Sequence, residues 1–214
     1  MKVLKFGGTS VANAQNIKLV LEIVEQKSMQ DKLIVAVSAF SGVTDLLLSA
    51  AQKASTKDDS YRDVVLQIEK KHLEAIKELV PANEQAALLH YCKKNISYLE
   101  TLLDGCYLLG ELTLRTSDMI VSFGELLSSY IIAEALKQKV GNSNFKDSRE
   151  LIKTNSNFGK AEVNFDITNA TIADYFKSNS SQVTLIPGFI ASSSDGNTTT
   201  LGRGGSDYTA AIMA

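Results

Sequence analysis

The chain has 214 residues, of which 44% are hydrophobic and 21% charged, with a net charge of −2. That balance is the composition of a soluble globular chain with enough residues for one large domain or two small ones, and it offers no basic surface for nucleic acid or an anionic membrane. No apolar run reads as long enough to span a bilayer, no signal-peptide pattern precedes the first strand, and two cysteines with two histidines form neither a disulfide framework nor a metal cluster, so the expected location is cytoplasmic.

Val3, Leu4 and Phe6 read as a short strand, and Val11 to Lys27 has helical period. Ile17, Val20, Leu21 and Val24 share one face of that helix, and Asn13 is its expected N-cap. Between the two lies Lys5-Phe6-Gly7-Gly8-Thr9-Ser10. Paired glycines let backbone N–H groups approach a ligand closely, and a helix N-terminus favours anions. Lys5 adds a cation, and Thr9 and Ser10 add hydroxyls. The stretch therefore reads either as a phosphate-binding turn or as a plain turn that carries a lysine.

Leu33 to Val37 is a continuous apolar run, as expected of a strand buried on both faces. Strand, helix and strand at this spacing imply a right-handed βαβ crossover and a parallel sheet. The second strand ends in Ser38-Ala39-Phe40-Ser41-Gly42-Val43-Thr44, and a new helix is expected from about Thr44. Ligands of open α/β sheets bind beyond the carboxyl ends of strands, so this loop and Lys5–Ser10 are neighbouring candidates; serine and glycine also simply suit tight turns.

A polar break at Lys57–Ser60 leads into a helical excursion spanning about residues 58–110. Val65, Ile68, His72, Ala75 and Leu79 alternate steps of three and four, Pro81 ends that helix, and Leu89, Cys92, Ile96, Leu99, Leu103 and Cys106 continue the rhythm. Two such stripes predict an antiparallel helical hairpin, with His72 and both cysteines as core filler. Arg115 to Gln138 is a further, largely apolar helix with Glu125 inside it. A carboxylate buried without a partner costs several kcal/mol, so Glu125 either meets a cation or ligand, for which Ser122, Gly124, Ser128 and Ser129 leave room, or faces water at a rim.

Short strands are expected at about Asn144–Lys146 and Leu151–Lys153, a helix over Ile167 to Phe176, a buried strand over Val183 to Phe189, and a hairpin turning at Asp195-Gly196. Gly202-Arg203-Gly204-Gly205-Ser206-Asp207-Tyr208-Thr209 then forms a glycine-rich turn into Ala210–Ala214, with Ser206 as the expected N-cap. It matches neither the Walker pattern nor G-x-G-x-x-G. Arg203 there is suited to a bidentate carboxylate contact.

Taken together, Lys5–Val11, Ser38–Thr44 and Thr198–Tyr208 resemble the aspartate kinases of the amino-acid kinase superfamily, and Phe123-Gly124-Glu125 falls where that family places a substrate glutamate. The resemblance covers residues 1–214. The helical hairpin resembles the insert of aspartokinases, and the first thirteen residues also resemble bifunctional aspartokinase–homoserine dehydrogenases. The resemblance implies an α/β three-layer sandwich with a largely parallel central sheet, and transfer of a phosphoryl group from ATP to L-aspartate, giving 4-phospho-L-aspartate at the entry to lysine, threonine and methionine synthesis. Lys5 and Asp207 would be catalytic, the lysine neutralising the transferring phosphoryl and the aspartate orienting it. Gly7, Gly8 and Ser10 would donate to phosphate oxygens. Arg203 would clamp a carboxylate of aspartate and Glu125 its ammonium, with Ser38, Thr44 and Ser206 holding the remaining polar ends. Magnesium would accompany ATP, bound chiefly through its phosphates, and no protein metal site is implied.

In the family, a following half binds most of the nucleotide and precedes regulatory ACT domains; the expectation is that residues 1–214 are the aspartate-binding part, inactive alone, of a homo-oligomeric enzyme. The alternatives are a non-catalytic kinase-like binding fragment and a superfamily member with another acyl substrate.

Overall fold

The computed structural model describes all 214 residues. The chain runs β1 (Lys2–Phe6), α1 (Ala14–Ser28), β2 (Leu33–Val37), α2 (Val43–Ser55), α3 (Tyr61–Leu79), a 3₁₀ turn (Ala82–Glu84) and α4 (Gln85–Leu109). It continues as α5 (Leu114–Lys137), β3 (Ser143–Phe145), α6 (Ser148–Leu151), β4 (Lys153–Thr154), α7 (Phe165–Ser178), β5 (Val183–Pro187), β6 (Ile190–Ser193), β7 (Thr198–Thr200) and α8 (Gly205–Met213).

Four strands form a parallel sheet in the order β1-β2-β5-β3. Because successive side chains of a strand point to opposite faces, β2 and β5 feed two cores. Leu33, Val35, Val37, Val183 and Leu185 join a large core with α1 to α5. Ile34, Ala36 and Ile186 join a smaller one, completed by Leu151, Ile152, Leu201 and Met213 and flanked by α7 side chains. Every residue of β2 and β5 is buried, which is why Leu33–Val37 reads as an unbroken apolar run. The layers are helix, sheet and helix, as expected, with one addition. The predicted hairpin at Asp195-Gly196 is β6 and β7, and with β4 it forms a separate three-stranded sheet beneath the smaller core.

Register positions the site. Phe6 pairs with Val37, and Val37 with Pro187. The chain therefore leaves all three strands at one level, at Gly7, Ser38 and Gly188. The Ser38 amide donates to the Phe6 carbonyl at 3.1 Å and the Gly188 amide to the Val37 carbonyl at 2.8 Å, so the ladder continues one residue into the loops.

α3 and α4 form the predicted hairpin, packed on α2 and α5. The stripes are as read, except that Leu79 and Leu89 are only half-buried and Leu88 is the buried residue at the start of the second. Other expectations shift. Leu151 closes the short helix α6, so the strand expected at Leu151–Lys153 reduces to Lys153–Thr154; burial of Leu151 and Ile152 in the smaller core sets that geometry. The 24-residue α5 is, against expectation, long and apolar enough by composition to cross a membrane, but 83% of its most apolar window is buried inside the protein.

Gly124 lets α5 approach the loop after β2: a Cβ there would stand 2.9 Å from the Ala39 Cβ. Replacing an interior helical glycine by alanine normally gains about 1 kcal/mol, while overpacking costs about 1–3 kcal/mol. Gly124→Ala is therefore expected to lower stability by up to about 2 kcal/mol, read as a lower urea midpoint. An unchanged or higher midpoint would show that α5 can withdraw freely.

Candidate active site

Beyond the three aligned strand ends lies a cleft of about 820 Å³, lined mostly by polar residues and glycine. Lys5, Gly7, Gly8, Ser38 and Thr44 reach it from the first two strand ends. Glu125 reaches it from α5, and Arg203, Ser206 and Asp207 from the last turn. Of the predicted site residues, Ser10 alone does not line it.

The reason is the path of the first turn. Gly7 O accepts the amides of Ser10 at 2.9 Å and Val11 at 3.2 Å, so the chain curls back and commits the Ser10 amide. α1 begins only at Ala14, where Asn13 Oδ1 accepts from the Asn16 amide at 2.9 Å as the predicted N-cap. The start of α1 thus falls where its cap predicts, with the Thr9–Asn13 turn between it and the glycine pair, and neither it nor Ser10 lines the cleft.

Two other helix N-termini take its place. α2 starts after Gly42 (φ 78°) and α8 after Gly204 (φ 74°), each glycine supplying a left-handed turn and no side-chain cap. Ser206, expected as the N-cap of α8, lies instead inside its first turn, because Gly204 makes the turn. The amides of Thr44, Asp45, Ser206 and Asp207 have no backbone acceptor, and all four residues line the cleft. Free N–H groups at two helix starts make this end of the cleft attractive to anions. α8 comes close because Gly188 has no side chain: a Cβ there would meet Ser206 Oγ at 2.7 Å.

Lys5 Nζ pairs with Asp207 Oδ1 at 2.8 Å. Strand alternation puts Lys5 on the α8 side of the sheet with Val3, opposite Leu4 and Phe6. The aspartate is 72% exposed, so water screens the pair and its value lies in fixing the lysine rather than in stability. A Cβ at Gly7 would come within 3.2 Å of Lys5 Nζ. Arg203, between Gly202 and Gly204, is exposed and has no acidic partner.

Glu125 is 4% exposed, and its Oε2 has no hydrogen-bond partner. Burial pushes its carboxyl up to about 8, opposed in part by the Ala39 amide. No cation of the protein pairs with it. Of the two readings open from sequence, the water-facing rim is therefore excluded: Glu125 is a buried carboxyl presented to a cleft.

The sequence reading missed Asp118, two helical turns before Glu125 on the same face of α5. It is buried and lines the cleft. Its Oδ2 accepts the amides of Gly159 at 2.9 Å and Thr200 at 3.0 Å, and its Oδ1 accepts the Thr200 hydroxyl at 2.8 Å. Burial raises its carboxyl above the usual range despite those donors. The i, i+7 spacing to Glu125 is the signal that could have found it. Phe189, also lining the cleft, gave no signal. It adopts a left-handed φ of 66°, held by its amide donating to Thr209 Oγ1 at 2.9 Å, and such strain concentrates at functional sites.

Residues 1–214 match the amino acid kinase family over their whole length. The chain belongs to the amino acid kinase family. Within it, the chain is 34% identical over 212 residues to the bifunctional aspartokinase/homoserine dehydrogenase 2, chloroplastic, of Zea mays, covering 99% of this chain and 23% of that protein. It is 34% identical over 221 residues to the lysine-sensitive aspartokinase 3 of Escherichia coli, covering 99% of this chain and 45% of that protein. Among solved structures, E. coli aspartokinase III in complex with aspartate and ADP superposes with a TM-score of 0.88 at 30% identity, covering all of this chain and 46% of that one. The chain spans less than half the length of these relatives.

Asp118→Ala would leave the Gly159 and Thr200 amides without their acceptor, at about 1–3 kcal/mol for each buried donor. We expect it to lower stability by at least about 2 kcal/mol in chemical denaturation. Asp118→Asn, which keeps one acceptor oxygen and lets the Thr200 hydroxyl reverse its role, should lose less than half as much. Equal losses would show that charge, not acceptor geometry, is what Asp118 provides.

Proposed function

We propose that this chain forms the aspartate-binding part of an aspartate kinase, which transfers the γ-phosphoryl group of ATP to the side-chain carboxylate of L-aspartate and gives 4-phospho-L-aspartate. The observation that carries this reading is Glu125, a buried carboxyl without a partner, set in one cleft with an unpaired arginine and a lysine–aspartate pair. A zwitterion with a second carboxylate meets each of these needs. Its ammonium satisfies Glu125 and a carboxylate takes Arg203 bidentately. Ser38, Thr44 and Ser206, with the free amides of α2 and α8, hold the remaining oxygens.

The reacting carboxylate is ionised at neutral pH and needs no general base. Phosphoryl transfer then depends on positioning and on charge stabilisation. Lys5, steadied by Asp207 and covered by the Gly7-Gly8 backbone, supplies positive charge to the transferring group. Magnesium would arrive on ATP and be held chiefly by phosphate oxygens. The named relatives and the aspartate- and ADP-bound neighbour support the same reading. We place lysine, threonine and methionine synthesis downstream of the product.

In the complete gene product, hydroxamate formation should be supported by ATP and aspartate and not by glutamate or acetylglutamate. Lys5→Ala and Asp207→Ala should each lower turnover by about 10²-fold or more. Near-normal turnover in either variant would remove that residue from its role, and a preference for another acyl acceptor would overturn the aspartate assignment.

The buried carboxyl also fixes a pH signature. The folded state keeps a proton on Glu125 that the unfolded chain loses between about 4.5 and 8, so this group favours folding at low pH and opposes it as pH rises through that window. Pairing with an ammonium reverses the preference. Aspartate binding at pH 7 should therefore release up to about 0.9 proton, measured by calorimetry in buffers of different ionisation enthalpy. Release in Glu125→Gln equal to that of the unsubstituted chain would assign the proton elsewhere.

A further inference from the structure

Resting on the reading above, we propose that helix α3 of the hairpin is a positioning element of the cleft, acting through Lys71 and His72 on the loop that joins β2 to α2. This loop begins with Ser38 and leads into Thr44 in the first turn of α2, both lining the cleft. α5 grips its first part: Ser128 Oγ donates to the Ser38 carbonyl at 2.9 Å, and Gly124 brings the helix against Ala39. α3 grips the next two residues. Lys71 Nζ donates to the Ser41 carbonyl, which accepts from no backbone amide. The His72 ring stacks on Phe40, with centroids 5.0 Å apart and 24° between planes.

His72 is more than core filler. It is fully buried, and its Nδ1 lies 2.7 Å from the Ile68 carbonyl. A carbonyl can only accept, so Nδ1 carries the hydrogen and Nε2 keeps a bare lone pair with no partner. Burial lowers the ring to about 4, so it stays neutral and presents a flat face to Phe40. An apolar side chain would fill the stripe of α3 without an orphaned acceptor. What the imidazole adds is its flat ring against that of Phe40, a residue of the cleft lining. Neighbouring residues of one helical turn thus act on neighbouring residues of the loop, the lysine on the backbone of Ser41 and the histidine on the side chain of Phe40. Gly42, with its left-handed φ of 78°, follows at once. The geometry that α3 imposes is therefore passed directly to the start of α2 and to Thr44.

The test uses the 214-residue chain with Lys71→Met, which keeps the aliphatic stem and loses the donor, and with Lys71→Arg, which restores a donor. His72→Ala removes the stacked ring, and His72→Phe restores one. Two readouts are taken: aspartate affinity by calorimetry, and exchange of the Val43 amide, which is bonded to the Phe40 carbonyl at 2.9 Å and so reports closure of the loop. We expect Lys71→Met and His72→Ala to speed Val43 exchange and weaken aspartate binding about tenfold, as preorganisation is lost, with Lys71→Arg and His72→Phe within about twofold of the unsubstituted chain. Unchanged Val43 exchange in both disruptive variants overturns the proposal. So does faster exchange with unchanged aspartate affinity, since the loop would then not serve the site. If the unsubstituted chain binds no aspartate, the functional reading fails, and Val43 exchange alone then decides whether α3 holds the loop.

Discussion

A carboxyl group buried inside a helix without a partner is expensive, and much of this fold is organised around keeping Glu125 there. α5 is buried along most of its length between the sheet and the helical hairpin. Small residues on its cleft side, Gly124 and Ser128, bring it against the loop after β2. Local relief for the carboxyl comes from the Ala39 amide of that loop and from the backbone amide of Glu125 itself, which offset part of the burial penalty. Its Oε2 keeps no hydrogen-bond partner within the protein, the need that the proposed ligand ammonium would meet.

The second constraint is parallel register. Three strands that end at one level deliver three loops to one place, and the remaining site residues arrive on helices that start there. Glycine decides how closely they come. Gly188 leaves room for Ser206, and Gly205 for the ring of Phe189, whose Cδ2 a Cβ would meet at 2.6 Å. Asp118 closes the arrangement by tying α5 to β7, three residues before Arg203, and to the Gly159 turn. The cations and acids of the cleft are thus held by backbone geometry more than by mutual ion pairs; Lys5 with Asp207 is the exception.

Much of this was legible in the sequence because it rests on period and punctuation. β2 and β5 declare themselves as apolar runs, the hairpin as a three-four stripe, and the helix at Ala14 by its Asn13 cap. Lys5, Glu125 and Asp207 stand out because a charge among glycines or apolar residues asks for an explanation. What stayed hidden depends on tertiary closeness. Ser10 is diverted by a backbone turn whose hydrogen bonds no side chain announces. Ser206 reads as a cap, yet Gly204 takes that place because a left-handed residue is needed to turn into α8. Leu151 reads as strand, since a short apolar segment has no period long enough to choose, and packing in the smaller core decides. The sheet of β4, β6 and β7 required knowing which edges meet. Asp118 was overlooked because an aspartate near a helix start looks ordinary until its donors are seen.

The central claim is that Glu125 is kept protonated by burial and is ionised by a bound ammonium. Carbon-13 NMR of the Glu125 side-chain carboxyl, followed through a pH titration with and without aspartate, tests it most directly. The account predicts a midpoint near 8 in the free chain and a fall below 7 when aspartate is bound. A free-chain midpoint in the ordinary glutamate range, or one that aspartate leaves unmoved, would contradict it.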